Sequence, residues 1–227
     1  MSKDERSSAR ENNGSDPRLS RASVGRFSLY LRHLEALTRD GTTKVSSSQL
    51  GEALGITDAQ VRKDLAYLGS LGHPGVGYVI VELINAIRHV LGVDRRWSVA
   101  LVGVGNLGRA LLGYRGFAER GFRVVALFDT DPTKVGTRLE GLTIHSIHEI
   151  EHVVATTGAE LGLLAVPSET AQEAADALVA AGIHGILNFA PVLLRVPSEV
   201  RLVSVDLTVQ LEQLAFLVQT QAGSGVD

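Results

Sequence analysis

The stretch that most restricts the fold is GVGNLG, residues 103–108, which follows the apolar run WSVALV without a break. A buried strand ending in G-x-G-x-x-G and opening a helix is the turn on which parallel sheets hold a dinucleotide. Gly103 permits the tight turn, Gly105 lets the backbone approach a pyrophosphate, and Gly108 lets the helix pack closely on the strand. Val104, Asn106 and Leu107 complete the turn and begin the helix, whose N-terminal N–H groups and partial positive charge favour phosphate. Alone the signature is weak. Its setting adds to it: the next strand, RVVALFD, ends at Asp129, 21 residues beyond Gly108, where a carboxylate would hold ribose hydroxyls. Asp129 should repel the extra phosphate of NADP, so NAD is favoured, although Lys134 and Arg138 leave NADP open.

The pattern around the motif agrees. From Ser98, the strand-like runs VALVG, RVVALFD, LGLLAVP, GILNFAP and RLVSV alternate with helical stretches at 106–114 and in SETAQEAADALVAAG. That is the rhythm of a parallel sheet with helices on both faces. The expected fold class is α/β, with a Rossmann-type doubly wound sheet over 97–205.

A dinucleotide turn usually sits near the start of its domain, so the residues before it need their own account. Residues 1–96 carry 14 Lys and Arg against 11 Asp and Glu, whereas 97–227 carry 8 against 14. The asymmetry hints at a polyanionic partner for the first part. Residues 1–20 are polar with almost nothing apolar and are expected to be disordered, as are 220–227. A helix is expected over Val24–Leu37, where Phe27, Tyr30, Leu31, Leu34 and Leu37 recur at helical spacing. Ser46-Ser47-Ser48-Gln49 offers a capping box before LGEAL, Gly55 a turn, and Thr57-Asp58-Ala59-Gln60 a second capping box before AQVRKDLAYLGSL. Two capped helices joined by a short glycine turn form a helix-turn-helix.

The second helix should bury Val61, Leu65 and Leu68, turning Gln60, Arg62, Lys63 and Tyr67 to other faces, and these residue types reach phosphates and base edges in a major groove. GHPGVGY, 72–78, then suits a hairpin wing presenting Gly75 and Gly77, and a helix over 79–91 closes a winged-helix domain at 21–92. Lys44 and Ser46, Ser47 and Ser48 complete the candidate DNA contacts. Arg62 and Lys63 alone would suit a solvated helix face equally; the caps, turn, hairpin and charge together favour DNA.

Other chemistry is poorly supplied. Without cysteine there are no disulfides or thiolate metal sites, so redox sensing would pass through a bound cofactor. No apolar run approaches the roughly 18 residues of a membrane span and the N-terminus is polar, so a cytoplasmic protein without membrane contact is expected. His145, His148 and His152 gather near one short helix after a weak strand, and read as a surface cluster rather than a metal site; His184 reads as a loop residue. Lys134 is the one lysine after Lys63, so the Tyr-Lys pair of short-chain dehydrogenases cannot form, and no substrate domain remains. An NAD-dependent oxidoreductase with an accessory N-terminal domain stays as the alternative, and a CoA-binding module as a third reading that Asp129 disfavours.

QVRKDL, a GVGY wing, W-x-V-A-L-V-G-x-G-N-L-G, Y-x-G-F, F-D-x-D-P-x-K-V-G, AVP, GILNFAP and VDLT in this order resemble the Rex redox-sensing repressors from about Arg18 to the last helix. The resemblance implies a homodimer that binds palindromic operator DNA, holds NADH or NAD+, and leaves DNA when NADH rises. It implies that the helix at 206–219 is exchanged between subunits; its stripe of Leu207, Leu211, Leu214 and Val218 needs a partner, which an internal contact could also provide. It places the nicotinamide end near Tyr114, Val166, Pro167, Asn188, Phe189 and Ala190, and matches Arg32, Tyr114 and Asp206 to a triad whose hydrogen bonding differs between the DNA-bound and NADH-bound forms. One departure stands in the wing, where His73-Pro74 replaces the basic residue common before GVGY.

Overall fold

The computed structural model describes residues 19–73 and 75–223. Residues 1–18 of the tail expected at 1–20, Pro74 and residues 224–227 lie outside the described residues, whereas Ser20, expected in that tail, belongs to the start of the first helix. The chain divides into two compact units, Met1–Asp94 and Arg95–Asp227.

The first unit runs α1 (Arg21–Arg39), β1 (Lys44–Val45), α2 (Ser47–Leu54), α3 (Asp58–Ala66), β2 (Gly72–His73), β3 (Gly77–Val79) and α4 (Ile80–Val90). Ser20 caps α1 by accepting the Ser23 N–H at 3.1 Å. Phe27, Tyr30, Leu31 and Leu34 lie on one face of α1, as helical spacing requires, and close over Leu50, Val61, Leu65, Leu83 and Ile87 in one core. The three short strands form an antiparallel sheet in the order β1-β3-β2, so the β2–β3 hairpin projects as a wing beside two helices.

The expected helix over 59–71 is shorter, because α3 ends at Ala66. Tyr67, Leu68 and Gly69 continue in bonds to the third residue back, and Gly69 at φ 89° turns the chain toward β2.

The second unit runs β4 (Trp97–Val102), α5 (Asn106–Leu112), α6 (Arg115–Glu119), β5 (Phe122–Asp129), β6 (Arg138–Leu139), β7 (Leu142–Ser146), α7 (Ile150–Thr157), β8 (Leu161–Leu164), α8 (Ser168–Ala180), β9 (Gly185–Asn188), β10 (Arg201–Ser204) and α9 (Leu207–Gly223). The sheet order is β10-β9-β8-β4-β5-β7-β6, parallel except for β6 against β7. Strand alternation sends Ala100 and Val102 of β4 to the face covered by α7 and α8, and Val99 and Leu101 to the face shared with Leu112 of α5 and Phe117 of α6. This is the doubly wound sheet. Its order reverses between β4 and β8, and such sheets bind ligands outside the strand ends at that reversal.

The helix expected over 106–114 ends at Leu112 as α5, a further helix, α6, follows from Arg115, and α9 runs to Gly223, four residues past the expected 219 and into the stretch expected to be disordered. Described residues of α9 through Thr220 are exposed, with Leu207, Leu211, Leu214 and Val218 at 64, 66, 55 and 59 %. On the sheet, Phe117, Phe122, Val124, Leu161, Leu163, Leu187 and Val203 line an apolar cleft of about 370 Å³. Among the described residues no helix is long and apolar enough to cross a membrane.

Candidate functional site

Local signals build the two-helix element of the first unit. Ser46 Oγ accepts the Gln49 N–H at 3.1 Å while Gln49 Oε1 accepts the Ser46 N–H at 2.8 Å, a complete capping box. The turn after α2 closes on Gly51, where a Cβ would stand 2.4 Å from the Ile56 carbonyl oxygen. Nothing in the sequence pattern had marked that glycine.

The second capping box is only half formed. Thr57 Oγ1 accepts the Gln60 N–H at 3.2 Å, but the Gln60 side chain turns away and donates from Nε2 to Asp64 Oδ1 at 2.9 Å. A charged acceptor one turn on binds it more strongly than the cap.

Asp64 is the residue that sequence reasoning missed. Only 5 % exposed, its carboxylate also accepts Arg26 Nε at 2.6 Å, Arg26 Nη2 at 2.7 Å and the Tyr30 hydroxyl at 2.8 Å. Burial alone works against its charge, but the hydrogen bonds from Arg26, Tyr30 and Gln60 outweigh it and hold the carboxyl below its ordinary value. Burial and the same carboxylate push the Tyr30 hydroxyl up.

Of the candidate DNA contacts, Lys44, Ser46, Ser47, Arg62, Gly75 and Gly77 line one cleft of about 700 Å³ between the helices and the wing. Arg62 donates to Asp58 at 2.6 Å across an exposed turn of α3. Ser48 and Lys63 are exposed outside that lining, and Gln60 is half-buried. Tyr67 differs from expectation, since its half-buried ring packs on the core after the helix has ended.

In the second unit, Gly103, Gly105, Asp129, Val166 and Pro167 line a cleft of about 360 Å³ at the strand-order reversal, together with Thr130, Asp131, Lys134 and Ile147. Gly103 has φ 94°, and a Cβ on Gly108 would stand 1.9 Å from the Gly103 carbonyl oxygen. A Cβ on Gly105 would meet nothing within 4 Å, so the space before α5 is open to a ligand. No side chain caps α5.

Asp129 closes the cleft. Oδ2 accepts the Val104 N–H at 2.8 Å and Lys134 Nζ at 3.0 Å, and Oδ1 accepts the Asp131 N–H at 2.9 Å. Burial opposes its charge, but those donors hold the carboxyl below its ordinary value. Val104 and Gly108 are buried, whereas Asn106 and Leu107 are exposed beside the turn without lining the cleft.

The remaining expected nicotinamide neighbours stand outside this lining. Tyr114 is 57 % exposed and meets Phe117 edge-on at 5.1 Å. Asn188 is fully buried: Oδ1 accepts the Ala190 N–H at 2.9 Å, and Nδ2 donates to the carbonyls of Ala190 at 3.0 Å and Val192 at 3.2 Å. Its side chain clamps the loop after β9 instead of facing a cleft, with Phe189 half-buried and Ala190 buried beside it. Of the expected switch triad, Arg32 is exposed on α1 in the first unit. Asp206 belongs to the second, where its Oδ1 caps α9 by accepting the Thr208 N–H at 2.9 Å. Among the described residues no group of three His, Cys, Asp or Glu is placed to hold a metal ion.

Comparison with known proteins covers both units. A family model described as "CoA binding domain" matches residues 94–192, and one described as "Putative DNA-binding protein N-terminus" matches 18–66. The redox-sensing transcriptional repressor Rex of Desulfitobacterium hafniense is 48 % identical over 88 % of this chain and 95 % of its own. A crystal structure of RSP with beta-NAD+ and operator DNA matches at 33 % identity and TM-score 0.84, covering 92 % of this chain and 99 % of that one. RSP with beta-NADH matches at 33 % identity and TM-score 0.82, covering 90 % and 96 %.

Proposed function

The chain belongs to the Rex family of redox-sensing transcriptional repressors, and on that premise we propose how its two units divide the work. The protein is a DNA-binding repressor that responds to NADH against NAD+ and releases its operator when NADH binds; it is not an enzyme. The observation that carries the division of labour is the open space at Gly105 beside the buried Asp129, in a chain whose other unit presents a winged helix.

In this reading α3 enters the major groove with Arg62 and Lys63, while Lys44, the serines at the start of α2, and Gly75 and Gly77 of the wing meet backbone phosphates. Gly105 and the start of α5 take the pyrophosphate, Asp129 the ribose hydroxyls, and Val166, Pro167 and Tyr114 the nicotinamide side. Asn188 acts through the loop it clamps, bringing the backbone of Phe189 and Ala190 to that end. Arg32, Tyr114 and Asp206 serve as the switch, and Asp206, which caps α9 here, changes its hydrogen bonding between the DNA-bound and NADH-bound forms.

The operator-bound form is a homodimer working in the cytoplasm. The exposed stripe of α9 and the apolar cleft over β8, β9 and β10 are complementary in kind, and a second copy's helix seated there would remove both from water. Two recognition helices about 34 Å apart are what a palindrome demands. A gel-shift titration of a palindromic operator tests the whole reading: NADH should release the duplex where the same concentration of NAD+ does not, and release indifferent to redox state would overturn it.

A further inference from the structure

Gln60 belongs to the third position of α3, in the first turn, and the N-terminal residues of a recognition helix are those that contact base edges. Its amide is not free to rotate. Only Nε2, a donor, can face the Asp64 carboxylate, and that carboxylate is itself fixed by three bonds from α1, two from Arg26 and one from Tyr30. All four of its accepting positions are taken, so Asp64 neither needs nor has room for a DNA partner. Gln60 keeps Oε1 and one N–H of Nε2 for something else. An adjacent acceptor and donor on one amide match the N6 amino group and N7 of adenine in the major groove.

The geometry points to Gln60 as a residue that selects adenine in each half-site, with Asp64 as the positioning residue that holds its amide in the reading orientation. This deepens the repressor reading above and rests on it. Fixing a long polar side chain before binding removes an ordering cost that a free Gln would meet on the DNA. It also makes the preference directional, because a flipped amide would put oxygen against carboxylate.

The test is selection from a random duplex pool with the full chain, its Gln60→Ala and Asp64→Asn variants, and the double variant. The parent should enrich a half-site containing a specific adenine. Gln60→Ala should lower the preference at that one position by on the order of tenfold and leave the others. Asp64→Asn, which exchanges one acceptor oxygen for a donor, should relax the same position, and the double variant should be no more relaxed there than Gln60→Ala alone. A purely structural Asp64 would instead weaken all positions together, whether or not Gln60 is present. Because Gln60 is half-buried, Gln60→Ala folds even should Asp64→Asn not, and unchanged base preferences in Gln60→Ala would overturn the inference. A parent that enriches no half-site at all would overturn the repressor reading beneath it.

Discussion

Lys134 Nζ stands 3.0 Å from Asp129 Oδ2, so the carboxylate at the end of β5 faces a cation inside the cleft. The lysine is committed to acid on both sides, with Asp131 Oδ2 at 3.6 Å, and is poorly placed to serve a second phosphate on the ribose. Asp129→Ala should weaken NADH binding by more than tenfold, or about 1.4 kcal/mol, and leave operator binding without nucleotide unchanged. Calorimetric titration with NADH and a gel shift on the same preparation check both halves.

Two glycines of one turn should respond oppositely. Gly105→Ala places its methyl in open space, so the melting temperature should hold while operator release by NADH is lost. Gly108→Ala drives a methyl into the Gly103 carbonyl, an overpacking that costs about 1–3 kcal/mol and lowers the melting temperature by several degrees. Scanning calorimetry separates the pair.

On the DNA side, Arg62→Ala or Lys63→Ala should abolish operator binding and leave NADH affinity alone. Stability should move by less than about 1 kcal/mol, since Arg62–Asp58 is an exposed pair on one helix. Equal operator affinity in both variants and parent would refute the assignment of α3.

Acid should loosen the first unit through Asp64. Its carboxyl is held below the ordinary value in the folded chain, so the unfolded state binds the proton more readily. The stabilisation is therefore complete above the unfolded value of about 4 and drains away as pH falls through the lower folded value. Denaturant midpoints at descending pH should show this slope in the parent and a shallower one in Asp64→Asn.

Truncation after Asp206 should yield monomers by sedimentation, and Leu211→Asp with Leu214→Asp should do the same in the full chain. Both should lose operator affinity while still binding NADH.

Much of this architecture was legible because its signals are local. Apolar runs marked β4, β5, β8 and β9, the glycine spacing marked the turn after β4, and hydroxyl caps marked α2 and α3. What escaped depends on distant neighbours. Asp64 in RKDL reads as one more solvated acid until Arg26 and Tyr30, 38 and 34 residues earlier, are folded against it. Gly51 gave no pattern because its role is a steric gap beside Ile56, and the clamp made by Asn188 is set by a loop no periodicity describes. The two-residue β6 and five-residue α6 are too short to carry a period.

The bare stripe along α9 reaches beyond packing. In the pairing proposed above, a chain that needs another copy to cover its leucines makes its working form in an amount set by the square of its own abundance. Halving the number of chains in a cell, where pairing is incomplete, would remove more than half of the competent repressor. The sensor would thus read how much of itself is present as well as how reduced its surroundings are.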